Sequence, residues 1–297
     1  MKKFIGILLA FCGLVLSSGC GNSHSHYSGQ IQTATSFYPL YFFTSQIAGS
    51  HAEVLNLTPA GVEPHDFELS AKDVARIQDS ALLIVNGYGF EPWSGKIKEE
   101  LNKRTVFLSV ADTIPDDTPE GESPDPHIWL SPRMASDQVA SITAALVNTD
   151  PSHENEYRTN ARELKKKLTE LDADFRAGLA HCSAKTFIAA HDAFGSLAKE
   201  YGLTQKSIAG LSPDAEPSAR QLAELAKFAK DNNVKYIFFE SLVSPKLAET
   251  LAKEVGAKTL VLNPLEGLTE EELKEGKDYF SVMRENLKNL QLALRCY

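Results

Sequence analysis

The stretch from Asp150 to about His181 constrains the fold more than any other part of the chain. Asp150-Pro151 reads as a helix cap with proline in the first turn, where a missing N–H costs nothing. Tyr157, Ala161, Leu164, Leu168, Leu171, Phe175 and Leu179 then recur at intervals of three and four, and neither Gly nor Pro intervenes before Gly178. That spacing predicts one amphipathic helix, on the order of 40–45 Å long at about 1.5 Å per residue. A single small lobe is narrower than this. The helix is therefore expected to run along two lobes as a rigid spine.

On both sides of it, strand-like and helix-like segments alternate. Ile31–Ser36, Glu53–Thr58, Ala81–Asn86 and Arg104–Leu108 read as short strands before the spine; Thr186–Ala190, Tyr236–Phe239 and Lys258–Leu262 do so after it. Between them, Ser70-Ala-Lys-Asp73 resembles a capping box leading to Val74 and Ile77. Ser131-Pro132 opens a helix with Ala135, Val139, Ile142 and Leu146 on one face. Ser244-Pro245 opens another that Gly256 ends. The last helix carries Phe280, Met283, Leu287, Leu290 and Leu294. The expected class is α/β: two (β/α) lobes with parallel-type sheets, linked by one long rigid helix. Ligands of such sheets sit in loops at the C-terminal strand ends, so the expected site lies in the cleft between the lobes.

The N-terminus predicts the compartment. Lys2 and Lys3 precede an apolar run from Phe4 to Leu16, too short to span a bilayer and flanked as a secretory signal is. Leu16-Ser17-Ser18-Gly19-Cys20 resembles a bacterial lipobox, in which Cys20 becomes the acylated N-terminus. The expected division is a signal at 1–19, a lipidated polar tether at 20–30, an N-terminal lobe at 31–149, the spine at 150–181 and a C-terminal lobe at 182–297. Losing residues 1–19 removes two lysines and no acid, so the formal charge moves from −9 to −11. A chain this acidic is a poor partner for nucleic acid. With Cys12 in the signal and Cys20 lipidated, Cys182 and Cys296 remain. In an oxidising compartment a disulfide is the natural reading of that pair. Two free thiols are the alternative; metal ligation is disfavoured because neither has a Cys or His at finger-like spacing.

Four loops carry candidate ligands: Glu63-Pro64-His65-Asp66, Asp125-Pro126-His127, His191-Asp192 and Asn263-Pro264-Leu265-Glu266. Each alone is weak, because a lone loop histidine is more often a surface or packing residue. Together they offer three imidazoles, donors suited to zinc and its neighbours, and proline beside three of the four would hold the loops rigid.

These segments resemble the cluster A-I family of metal-receptor lipoproteins, the zinc and manganese solute-binding components of ABC importers. The resemblance begins at Ser36-Phe-Tyr-Pro-Leu, passes through all four loops, and continues through Phe239-Glu-Ser-Leu-Val-Ser-Pro-Lys to Asp278-Tyr-Phe-Ser-Val-Met-Arg-Glu-Asn-Leu. It implies one ion between two lobes, with His65, His127 and His191 as ligands and Glu266 in a position that other members leave to Glu, Asp or water. Three imidazoles and one carboxylate favour Zn(II); harder Mn(II) prefers more oxygen. It further implies an ABC permease and its ATPase as partners, a membrane anchor through Cys20, an extracytoplasmic location, a monomer and no enzymatic activity. This chain departs from many zinc members in one respect: the segment from Ile114 to Asp125 is acidic and contains no histidine.

Glu63, Asp66, Asp125 and Asp192 are candidates for orienting imidazoles, with solvated loop acids as the alternative. Glu240, at the end of a very apolar strand, is placed to approach the cleft, but the preferred reading is a lobe-stabilising hydrogen-bond acceptor; Trp93 and Trp129 are read as packing residues. The rival functions are a manganese receptor of the same family, a zinc hydrolase and an adhesin. The hydrolase lacks any HExxH-type motif.

Overall fold

The computed structural model describes residues 30–115, 118, 123–213 and 215–297. The expected signal at 1–19, Cys20 and the tether up to residue 29 lie outside the described residues, as does part of the acidic segment between Ile114 and Asp125.

Before the spine the chain runs β1 (Ile31–Thr35), α1 (Tyr38–Ala48), β2 (Ala52–Asn56), α2 (Ala71–Asp79), β3 (Leu82–Val85), α3 (Ser94–Glu100), β4 (Val106–Ser109) and α4 (Pro132–Thr149). The spine is α5 (Glu154–Leu179). Beyond it come β5 (Thr186–Ala189), α6 (Gly195–Glu200), β6 (Thr204–Ser207), α7 (Ala219–Asp231), β7 (Tyr236–Phe239), α8 (Lys246–Val255), β8 (Lys258–Val261), α9 (Glu270–Lys274) and α10 (Tyr279–Leu294).

The first lobe holds a parallel sheet in the order β2-β1-β3-β4. Its inner strand β3 reads Leu-Leu-Ile-Val and is buried at every position, as a strand covered on both faces requires. In the second lobe β5 pairs with β6 and β7 with β8, again in parallel. β5 and β7 lie side by side, with the Phe187 and Phe238 rings 6.1 Å apart. The expected α/β class with parallel strands and a long linking helix is borne out. Strand β6 was not legible in the sequence: Thr-Gln-Lys-Ser is a polar edge strand with no apolar alternation to betray it.

α5 buries the seven residues picked out by periodicity and packs against α1, α4 and α10. At 26 residues it is about 39 Å long. It starts later than the cap-and-proline reading expected, because Pro151–His153 forms a 3-10 turn first. The Asp150 carboxylate does not cap a backbone N–H. It accepts instead from the hydroxyls of Ser152 and Tyr157 (2.7 Å) and from the His153 ring (2.6 Å). Gly178 belongs inside the helix, where α10 crosses: a Cβ there would sit 2.5 Å from Gln291 Nε2 and 3.1 Å from Leu287. Elsewhere the caps follow the sequence. Ser70 and Asp73 form a full capping box, Ser131 accepts from the Met134 amide, and Gly256 ends α8 in the left-handed region. At α8 the helix starts one residue late, with Pro245 rather than Ser244 in the cap position.

Removing the Asp150 carboxylate strands the hydroxyl of Tyr157, a residue with no exposed surface. Asp150→Ala is expected to lower folding stability by about 1–3 kcal/mol, read from a denaturant midpoint. The pH dependence has a definite sign. Burial alone would raise the Asp150 pKa, but the bonds from Ser152, Tyr157 and His153 bring it down to about 2. The stabilisation is therefore complete above the ordinary aspartate range and disappears as pH falls toward that value.

Cys182 and Cys296 are joined by a disulfide just beyond the ends of α5 and α10. One large hydrophobic core runs from Phe37 and Phe43 through the α5 face to Phe187, Met283 and Leu294, crossing from lobe to lobe. Two smaller clusters lie apart from it, one in the first lobe around Leu83 and Ile97 and one in the second around Ile237 and Leu251.

Candidate metal centre

Every candidate ligand sits in a loop leaving the C-terminal end of a strand: His65 after β2, His127 after β4, His191 after β5 and Glu266 after β8. The loops converge at the cleft. Glu266 Oε1 lies 3.3 Å from His65 Nε2 and 3.2 Å from both His127 Nε2 and His191 Nε2. His127 Nε2 is itself 3.3 Å from the Nε2 atoms of His65 and His191. The four donor atoms lie within 4.8 Å of one another, and no other such group occurs among the described residues. A tetrahedral ion bonded at about 2.0–2.1 Å places its ligand atoms roughly 3.3–3.4 Å apart, so these separations suit an ion of the zinc type.

The hydrogen bonding fixes which imidazole atoms face inward. Asp125 Oδ1 accepts from both the amide and Nδ1 of His127, each at 2.9 Å. Glu240 Oε1 accepts from the amide (3.2 Å) and Nδ1 (2.6 Å) of His191 in the same way. With the proton held on Nδ1, each Nε2 presents a lone pair to the same point. Lone pairs crowded beside a carboxylate call for a cation, either a metal ion or protons. The electrostatics agree. Burial alone would lower the His191 pKa, but Glu266 and Glu240 drive it up to about 11; His127 is also raised against its burial by Asp125 and Glu266. Burial pushes Glu266 upward, yet His191 and the hydrogen bonds from the three histidines hold it well below the usual carboxylate range.

Glu266 is aimed by a strained backbone. Leu265, fully buried, has φ of 58°, a conformation that costs a branched residue about 1 kcal/mol or more. The strain is held in place by hydrogen bonds: Leu265 N–H to Asn263 Oδ1 (2.8 Å), Asn263 N–H to Asn286 Oδ1 (2.9 Å), and Asn286 Nδ2 to Asn263 O (2.7 Å). The first-lobe loops are tied down as well. Buried Glu91 accepts from Asn86 N (2.7 Å), Gly87 N (3.1 Å) and Ser36 Oγ (2.5 Å), while Asn86 Nδ2 donates to Pro126 O (2.8 Å) beside His127. Phe37, Phe90 and Trp129 form an aromatic wall against His65 and His127.

Of the orienting acids considered from sequence, Asp125 holds an imidazole, whereas Glu63 accepts the His65 amide (3.1 Å). Asp66 and Asp192 are not brought onto an imidazole among the described contacts. Glu240 does more than brace its lobe, since it holds the His191 ring. Its position directly after a fully apolar strand end, matching those of the ligands, was the available signal. Trp129 also exceeds a packing role: its Nε1–H donates to Pro264 O (2.7 Å) in the Glu266 loop, and its carbonyl accepts from Tyr279 Oη (2.6 Å). His65 differs from the other candidate ligands in access. Its side chain is 10% exposed against 0% for His127, His191 and Glu266. It borders a surface groove of about 430 Å³ lined by Asp66, Phe67, Trp93 and Lys96.

Two lobes whose loops bring three imidazoles and a carboxylate within 4.8 Å of one another form a group that could hold a single metal ion. Residues 34–293 match the family described as ZnuA, zinc-uptake complex component A, periplasmic, and the chain belongs to that family. It is 41% identical to the high-affinity zinc uptake system protein ZnuA of Bacillus subtilis, over 99% of this chain and 98% of that one. It is 42% identical to the zinc-binding lipoprotein AdcA of Streptococcus pneumoniae, covering 98% of this chain but 61% of that longer protein. Among solved structures, the Zn(II)-bound ZnuA-like domain of S. pneumoniae AdcA superposes with a TM-score of 0.80 at 44% identity, covering 90% of this chain and 99% of that domain.

Proposed function

We propose that this chain is the extracytoplasmic receptor of a zinc importer of the ABC type, capturing Zn(II) in the interlobe cleft and delivering it to a membrane permease with its ATPase. The convergence of His65, His127, His191 and Glu266 on one point carries this reading. In it, residues 31–149 and 182–297 act as two lobes on a spine at 150–181, and the protein binds without chemistry, since no tetrahedral corner is left for a reactive water. Cleavage after residue 19 and acylation of Cys20 anchor a monomer to the membrane. Family membership and the zinc-named relatives support zinc as the cargo.

The test is elemental analysis of untagged mature protein equilibrated with equal zinc and manganese, followed by chelator competition. One zinc per chain, its affinity falling as pH drops and protons compete with the ion for the raised His191 and His127 rings, is the expected result. Preferential retention of manganese overturns the zinc assignment, and retention of neither overturns the receptor.

A further inference from the structure

The carboxylates that attend the three histidines are not equivalent. The second oxygens of Glu63 and Glu240 are buried without a hydrogen-bond partner. Asp125 alone of the three has both oxygens engaged. Its Oδ1 holds His127, and its Oδ2 crosses the cleft to accept from the amide (3.0 Å) and hydroxyl (2.8 Å) of Ser196 in α6. Gly195 makes room for that approach, because a Cβ there would meet Asp125 Oδ2 at 3.1 Å. Ser196 follows the His191 loop in the second lobe, so one carboxylate joins a ligand of the first lobe to the frame of the second.

We propose that Asp125 is a positioning residue that couples zinc occupancy to the interlobe contact through Ser196, whose described hydrogen bonds go to Asp125 and to none of the candidate ligands. This rests on the metal-receptor reading above. The physical reason is a shared rigid group. A bound ion fixes the His127 ring, the ring fixes the orientation of Asp125, and that orientation decides whether Oδ2 can meet Ser196. Linkage makes the effect reciprocal: loosening the Ser196 end must weaken the ion at the other end by the same factor. An emptied site correspondingly frees Oδ2 to leave Ser196, which provides a way for the lobes to slip apart locally.

The experiment measures zinc affinity and dissociation by chelator competition for the mature protein and for Ser196→Ala, Asp125→Asn and the double variant. Zinc-free melting curves and nitrogen-15 imidazole spectra accompany it. Ser196→Ala is expected to weaken zinc about 5–10-fold, mostly through faster release. Asp125→Asn is expected to cost about 10–100-fold. The double variant should equal Asp125→Asn within about twofold, because the serine acts only through the aspartate. The imidazole spectra should show disturbance at His127 and not at His191. Wild-type affinity in Ser196→Ala, or fully multiplicative losses in the double variant, overturns the coupling. If the wild-type chain itself takes no zinc, it is the receptor reading that falls.

Discussion

His65→Ala should cost the protein at least about two orders of magnitude in zinc affinity while leaving its fold intact. A four-ligand zinc site is worth roughly 10–16 kcal/mol in apparent binding, so one donor accounts for about 3 kcal/mol, or a factor of about 100. His65 is the cleanest position for this test. Removing His127 or His191 also leaves the half-buried Asp125 or the buried Glu240 without its imidazole, and a loss of affinity there would mix with a loss of folding. Glu63, by contrast, binds the backbone amide of residue 65 and keeps that bond in the variant. Unchanged affinity and stoichiometry in a chelator competition would show that the imidazole at 65 is not a ligand.

Zinc should also stabilise the fold by a large amount. At free zinc a thousandfold above the dissociation constant, binding to the native state alone contributes about 4 kcal/mol, which for a chain of this size raises the melting temperature by roughly 7 °C. The gain has a structural basis beyond mass action. Three lone pairs and a carboxylate meet at one point among otherwise buried groups, and the ion replaces the protons that otherwise hold this cluster together. A strong chelator should return the melting temperature to its starting value, and Glu266→Gln should reduce the shift. A shift below about 2 °C in saturating zinc would mean that the cluster does not close on the ion.

How much of this was legible in the sequence differs by level. The spine was readable because seven apolar residues repeat along a stretch that lacks breakers, and each of them is buried. Its first turn was misread because Asp150 had three side-chain donors within reach, a competition no local motif announces. The four clustered residues could be nominated because each is a potential ligand in a loop after a strand or a turn-rich segment, but their convergence came from resemblance, since no local spacing links residues so far apart. Glu240 was underestimated for a related reason: its partner His191 is a neighbour only in space. The aim of Glu266 depends on a strained Leu265 locked by Asn263 and Asn286, and nothing in the one-dimensional pattern marks Leu as the residue that takes the left-handed conformation.

The continuous core described above has a consequence for how the protein comes apart. Because the α5 face is shared, neither half possesses an interior of its own large enough to survive without the other; the separate clusters around Leu83 and Ile237 are small. Heating should therefore show one calorimetric peak with matching van't Hoff and measured enthalpies, not two. An injury deep in either half, at Phe43 or at Met283, becomes a debit on the whole molecule.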